Sequence, residues 1–190
     1  MHTTNGAGPH NIQVFVLNPD GTVLTCLPGF WSPQDLVTEL KFAYKLNQVY
    51  TNPSLSTAQK DATFQQMHLA HIAQHSPAMV GRSHMQGFDA QYEAKHRLAT
   101  TDTIKNRALV AASISAGEMA PMEAFKTTDE LMHERMAKRP FEPYSKFDVA
   151  AYVDYGLQKY DKHEDARDSY GKVIEQAKES APTLGQEKQW

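Results

Sequence analysis

Two short apolar runs, residues 12–17 and 22–27, flank the tetrapeptide Asn18-Pro19-Asp20-Gly21, and they constrain the fold of this chain more than any other feature. Proline presets φ at the second turn position, and glycine accepts the positive φ that other residues resist. The segment therefore reads as a β-hairpin, its first strand Ile12-Gln13-Val14-Phe15-Val16-Leu17 nearly continuous in apolar side chains. A two-stranded hairpin is marginal alone in water. Its strands must pack against the rest of the chain or join strands from another molecule.

The sequence after the hairpin is helical in pattern. Ser32 is placed as an N-cap, Pro33 at the first helical position and Asp35 near the positive end of the helix dipole. Leu36, Val37, Leu40, Ala43, Tyr44 and Leu46 are the expected apolar stripe of that helix. Ser56-Thr57-Ala58-Gln59 has the form of a capping box and starts a helix expected to end before Pro77. Further helices are expected near 86–98, 102–115, 128–138, 146–160 and 163–180. Their starts are marked by Asp102, by Thr127 or Thr128, and by Ser145 with Asp148, and stops by Gly117 and Pro140. The expected class is α+β and mostly helical. Residues 1–50 would form the hairpin and first helix, and residues 51–190 a helical region packed on them.

Composition narrows the function classes. A net charge of −3 and a pI near 6.3 give no electrostatic reason to expect nucleic acid as a partner. No apolar run is long enough to span a bilayer, and MHTTNGAGPH is not a signal peptide. A soluble protein is expected, cytoplasmic rather than exported with its signal removed. Cys26 is the single cysteine, which excludes an internal disulfide, a self-contained CxxC centre and a cysteine-rich zinc site.

The run IQVFVLNPDGTVLTCLPGFWSPQDLVTEL resembles the final strand–turn–strand–helix of thioredoxin-like proteins. The match runs through residues 14–17, the turn at 18–21, residues 22–27, Gly29 and the helix from Pro33, about a sixth of the chain. The resemblance implies the C-terminal half of that fold and an association with thiol redox chemistry. In that family the CxxC lies on an earlier strand–helix junction, where a helix N-terminus lowers the thiol pKa. Too few residues precede Ile12 to form that unit. The family's cis-proline aligns near Ile12, with Pro9 three residues early. The expected role is therefore structural or interactive, with thiol–disulfide exchange only if a missing N-terminal segment or a partner chain supplies the dithiol. A protein partner, or a second copy pairing through the hairpin, would hide its edge. Cys26 is the sole candidate for thiol catalysis, and mid-strand it is expected to act as a small buried hydrophobe.

A second chemistry is written in Met67-His68-Leu69-Ala70-His71-Ile72-Ala73-Gln74-His75. At about 100° per residue, His68, His71 and His75 fall within about 60° of one another on the face that holds Phe64. Imidazoles at i,i+3 and i,i+4 can share one metal ion. Further ligands would come from His84, His96, His133, Glu134 or His163 if the fold brings them near. Met67, Met79 and Met85 could supply thioethers to copper or a haem iron. The alternative function is thus a transition-metal- or haem-binding helical protein using His68, His71 and His75. The plain alternative is that these histidines pack at an interface, each satisfied by hydrogen bonds. Phe147, Tyr152, Tyr155 and Tyr160 read as an aromatic helix face belonging to the core. No Gly-rich phosphate loop, nucleophile elbow or Ser-His-Asp pattern is present.

Overall fold

The computed structural model describes residues 3–158, so the helix expected at 163–180, Tyr160 and His163 lie outside the described residues. The architecture is α+β and mostly helical. An antiparallel hairpin of β1 (Gln13–Leu17) and β2 (Val23–Pro28) leads into α1 (Pro33–Tyr50). There follow α2 (Thr57–Ile72), α3 (Pro77–Arg82), α4 (Gly87–His96), α5 (Arg107–Ser115), α6 (Thr128–Ala137) and the short α7 (Val149–Tyr152).

The hairpin closes through the expected turn. Gly21 takes φ +86° and donates its N–H to the Asn18 carbonyl at 2.9 Å. The two strands differ in burial. In β1, Val14 and Leu17 stay exposed, whereas every residue of β2 is buried. β2 packs on α1 and α6, and on its other edge the Val23 N–H donates to the Glu142 carbonyl at 2.9 Å. Strand β2 is thus covered by helices and by residues 142–144 of the same chain. At Gly29 the backbone turns at φ +69°, and a Cβ there would lie 2.3 Å from the Ala7 carbonyl oxygen. Only glycine allows the N-terminal segment to come so close.

Local chemistry explains the helix boundaries. The Ser56 capping box forms, with the Ser56 hydroxyl accepting from Gln59 N–H and the Gln59 side chain accepting from the Ser56 N–H. Helix α2 ends at Ile72, and Ser76 caps a separate helix that begins at Pro77. Helix α5 starts at Arg107 rather than at 102. Asn106 caps it by accepting from Leu109 N–H at 3.0 Å, and the residues before it are engaged elsewhere, Ile104 in a bridge with Phe125. Of the expected helix at 146–160, the described residues 146–158 are α-helical at Val149–Tyr152, capped by Asp148.

Two apolar clusters share the interior, and α6 lies between them. Val23, Leu27, Phe42, Leu46, Phe64, Met132, Met136 and Tyr152 belong to one, which joins the hairpin to α1, α2 and α6. Ile104, Val110, Phe125, Leu131 and Tyr155 belong to the other. Helix α6 is therefore buried nearly all round, including the polar Asp129, His133 and Arg135. Among the described residues no helix is long and apolar enough to cross a membrane.

Candidate metal centre

Helix α1 buries only part of the stripe that its apolar residues suggest: Ala43 and Leu46 are buried and Leu36 packs on the core. Val37, Leu40 and Tyr44 are exposed, and the inward face is Asp35, Glu39, Phe42, Ala43 and Leu46. Glu39 is thereby carried into the interior with no exposed surface. A buried carboxylate costs several kcal/mol unless it is paired, so its partners decide what the position is for.

Those partners come from α2, the turn after it, and α6. Glu39 Oε1 lies 3.2 Å from His71 Nε2 and 3.1 Å from His75 Nε2, while Glu39 Oε2 lies 3.3 Å from His133 Nε2. One ligand atom from each of Glu39, His71, His75 and His133 fits within a span of 4.8 Å. His71 and His75 sit four apart on one side of α2 and its C-terminal turn, and α6 presents His133 from the opposite side. The side chains of Glu39, His75 and His133 are at most 1% exposed and that of His71 is 9% exposed.

The groups meet, yet they do not satisfy one another. Only His71 makes a well-formed hydrogen bond to Glu39. Glu39 Oε2, His75 Nε2 and His133 Nε2 are fully buried and lack a hydrogen-bond partner of acceptable geometry. Buried polar atoms are almost always paired. Here three such atoms lie together, and each belongs to a residue that can serve as a metal ligand.

Two of the three outward nitrogens are held. His75 Nδ1 bonds Asp129 Oδ2 at 2.6 Å, and His133 Nδ1 lies 2.9 Å from His68 Nδ1. A carboxylate behind an imidazole fixes the ring and strengthens it as a ligand. Apolar walls complete the site. Phe42 stacks on His71 with centroids 3.9 Å apart and planes 5° from parallel, and it meets His68 and His133 edge-on. Phe64 packs on His68.

Electrostatics follow from burial and charge. Burial opposes the charge on His75, but the Asp129 and Glu39 carboxylates outweigh it and hold the pKa up at about 9. For His68, burial and then the His133 charge push the pKa well below the ordinary range. Burial also lowers that of His133, against the pull of Glu39. Burial works to raise the pKa of Glu39, and the close approach of His133, His71 and His75 outweighs it, so the net direction is down.

Of the residues that the sequence offers as ligands, the structure brings His71, His75 and His133 together around Glu39. His68 touches the group through His133 rather than Glu39. Met79 and Met85 belong to different apolar clusters, Glu134 pairs with Lys126, and His96 is exposed. Cys26 is fully buried, and burial pushes its thiol up to about 12. Glu39 and Asp129 escape a sequence reading. The signal for Glu39 would have been the i,i+3,i+7 relation of Glu39, Phe42 and Leu46, which defines a second face on α1. Comparison with protein-family models, with curated proteins and with solved structures returned no match for the chain.

Proposed function

We propose that this chain binds one divalent first-row transition-metal ion through Glu39, His71, His75 and His133, in a closed site that clamps α1, α2 and α6 together. The observation that carries the reading is the set of three orphaned buried atoms, Glu39 Oε2, His75 Nε2 and His133 Nε2, around a single point. Charge balance supports it. Glu39 and Asp129 carry two buried negative charges that a divalent cation neutralises, whereas one protonated His75 leaves a negative charge uncompensated in a low-dielectric core.

Three imidazoles and one carboxylate are borderline donors that suit zinc, iron, cobalt or nickel, and not calcium or magnesium, which prefer oxygen. Donors within 4.8 Å of one another leave room for an ion and not for a porphyrin between them, which favours a bare ion over haem. Four protein ligands on buried side chains match the pattern of structural sites. In this reading the hairpin serves as cover for the site, and Cys26, with little thiolate at neutral pH, supplies apolar packing.

The test is elemental analysis of the full chain purified without chelator, alongside Glu39→Gln and His133→Ala, with circular dichroism to check folding. About one ion per wild-type chain is expected, falling to near zero in both variants. Removing the ion with chelator should lower Tm by about 10 °C, the scale of a ligand at about a thousandfold over its Kd. Wild-type protein that takes up neither Zn²⁺ nor Fe²⁺ nor Co²⁺, or variants that keep full stoichiometry, would overturn the proposal.

A further inference from the structure

The His68–His133 contact pairs two nitrogens, and only one of them can carry the shared proton. The side chains of both residues have no exposed surface, and Nδ1 to Nδ1 is 2.9 Å, so a hydrogen bond must be made there. A neutral imidazole holds one proton. If His133 gives its Nε2 lone pair to a metal, its proton is on Nδ1 and His133 is the donor. His68 Nδ1 is then the acceptor, and the proton of His68 sits on Nε2, which is buried without a well-formed hydrogen bond of its own and faces the Leu24 backbone. From this we infer that His68 is a positioning residue: a neutral outer acceptor that locks the tautomer and ring angle of His133 as a metal ligand. The inference rests on the metal-binding reading above.

The site would then hold two outer acceptors of different charge. Asp129 stands behind His75 and His68 stands behind His133. The difference has an electrostatic reason. Glu39 and Asp129 already match the two charges of the ion, and a third carboxylate at position 68 would leave the buried group negative. A neutral acceptor gives the orientation without the charge. The surroundings fix its ring as well, since Phe64 lies 4.4 Å and Phe42 5.0 Å from it, centroid to centroid. This sets His68 apart from the ligand set, although its place on α2 puts it one turn before His71.

Two variants of the full chain separate orientation from packing. His68→Phe keeps an aromatic of similar size with no acceptor, and His68→Asn places an amide oxygen near the position of Nδ1. Zn²⁺ affinity, measured by competition with a chromophoric chelator, should fall about 10–100-fold in His68→Phe and stay within about threefold of wild type in His68→Asn. Chelator-stripped His68→Phe should still fold and melt about 2–10 °C below stripped wild type, the scale of leaving His133 Nδ1 buried without its partner. Equal affinity in His68→Phe, or an equal loss in both variants, overturns the role. Imidazole ¹⁵N spectra of the zinc-loaded wild type give a reading that needs no variant. Protonated Nε2 and bare Nδ1 on His68 are expected, and the opposite tautomer contradicts the assignment. Wild-type protein that binds no Zn²⁺ defeats the metal reading itself, while wild-type binding with no effect of His68→Phe defeats the positioning role alone.

Discussion

Glu39 and Glu93 are both carboxylates with no exposed surface, on helices of the same small fold, and they are treated in opposite ways. Glu93 is satisfied. Its Oε1 accepts from the Gly156 N–H at 2.9 Å and from Arg97 at 3.4 Å, and its Oε2 accepts from the Thr103 hydroxyl at 3.0 Å. Arg97 also reaches Asp154, and Arg135 ties Asp102 to the Tyr152 carbonyl, so the surrounding polar groups share fixed positive charge. Among the described residues no arginine or lysine pairs with Glu39. Its partners are three imidazoles, two of them aimed at it without proper hydrogen-bond geometry. A completed network holds loops in place, and the incomplete one is what the proposed ion would complete.

The comparison breaks first at the carboxylates. Glu39→Gln should abolish metal binding and unfold in urea about 3–5 kcal/mol below metal-loaded wild type, the scale of breaking a buried charge pair. Glu93→Gln should leave metal stoichiometry intact and cost about 1–3 kcal/mol, the scale of a disturbed buried hydrogen bond. Equal metal loss in both variants would mean that the two sites do not differ in kind. The next effect is at the outer carboxylate. Asp129→Asn should weaken Zn²⁺ binding about 10–100-fold in a chelator competition without removing the site.

The pH dependence sharpens the contrast. In chelator-stripped protein the pKa of His75 stands at about 9, above its unfolded value of about 6.5. A raised pKa means stability that is fully present below the unfolded value and lost as pH rises through the folded one. Stripped protein should therefore lose stability between about pH 6.5 and 9, and loaded protein should not, because the ion takes the place of the proton. Urea unfolding across that range, with and without Zn²⁺, reads the difference. The smallest effect is at Asp35, whose carboxyl is held down near 2 first by Arg82, with Asn5 and Ser32 adding to it against the cost of burial. Its contribution is present above a pKa of about 4 and fades as pH falls through about 2. Acid unfolding of Asp35→Asn should show a shallower dependence over that window than wild type, with metal content unchanged.

Much of the fold was legible because local chemistry decides it. The Asn18–Gly21 turn, the Ser56–Gln59 capping box and the breaks at Pro77 and Gly117 are set by a few neighbouring residues. The histidine face of α2 was legible too, since 68, 71 and 75 share a side by helical geometry alone. What could not be read was the direction of α1. Its apolar residues Val37, Leu40 and Tyr44 argue for one face, and the face that turns inward carries Asp35 and Glu39. That choice depends on histidines far along the chain. His133 could be named as a candidate ligand but not chosen, because its proximity to α2 comes from the packing of α6 between two apolar clusters. Asp129 was not singled out, although it lies four residues before His133 on one helix. Its meaning appears only when His75 lies between Asp129 and Glu39.

X-ray absorption at the zinc edge of the loaded full-length chain tests the central claim most directly. The account predicts one ion per chain, a first shell of nitrogen and oxygen at about 2.0–2.2 Å, and outer-shell scattering from three imidazoles. A shell containing sulfur at about 2.3 Å, scattering from water oxygens alone, or no ion at all would contradict it.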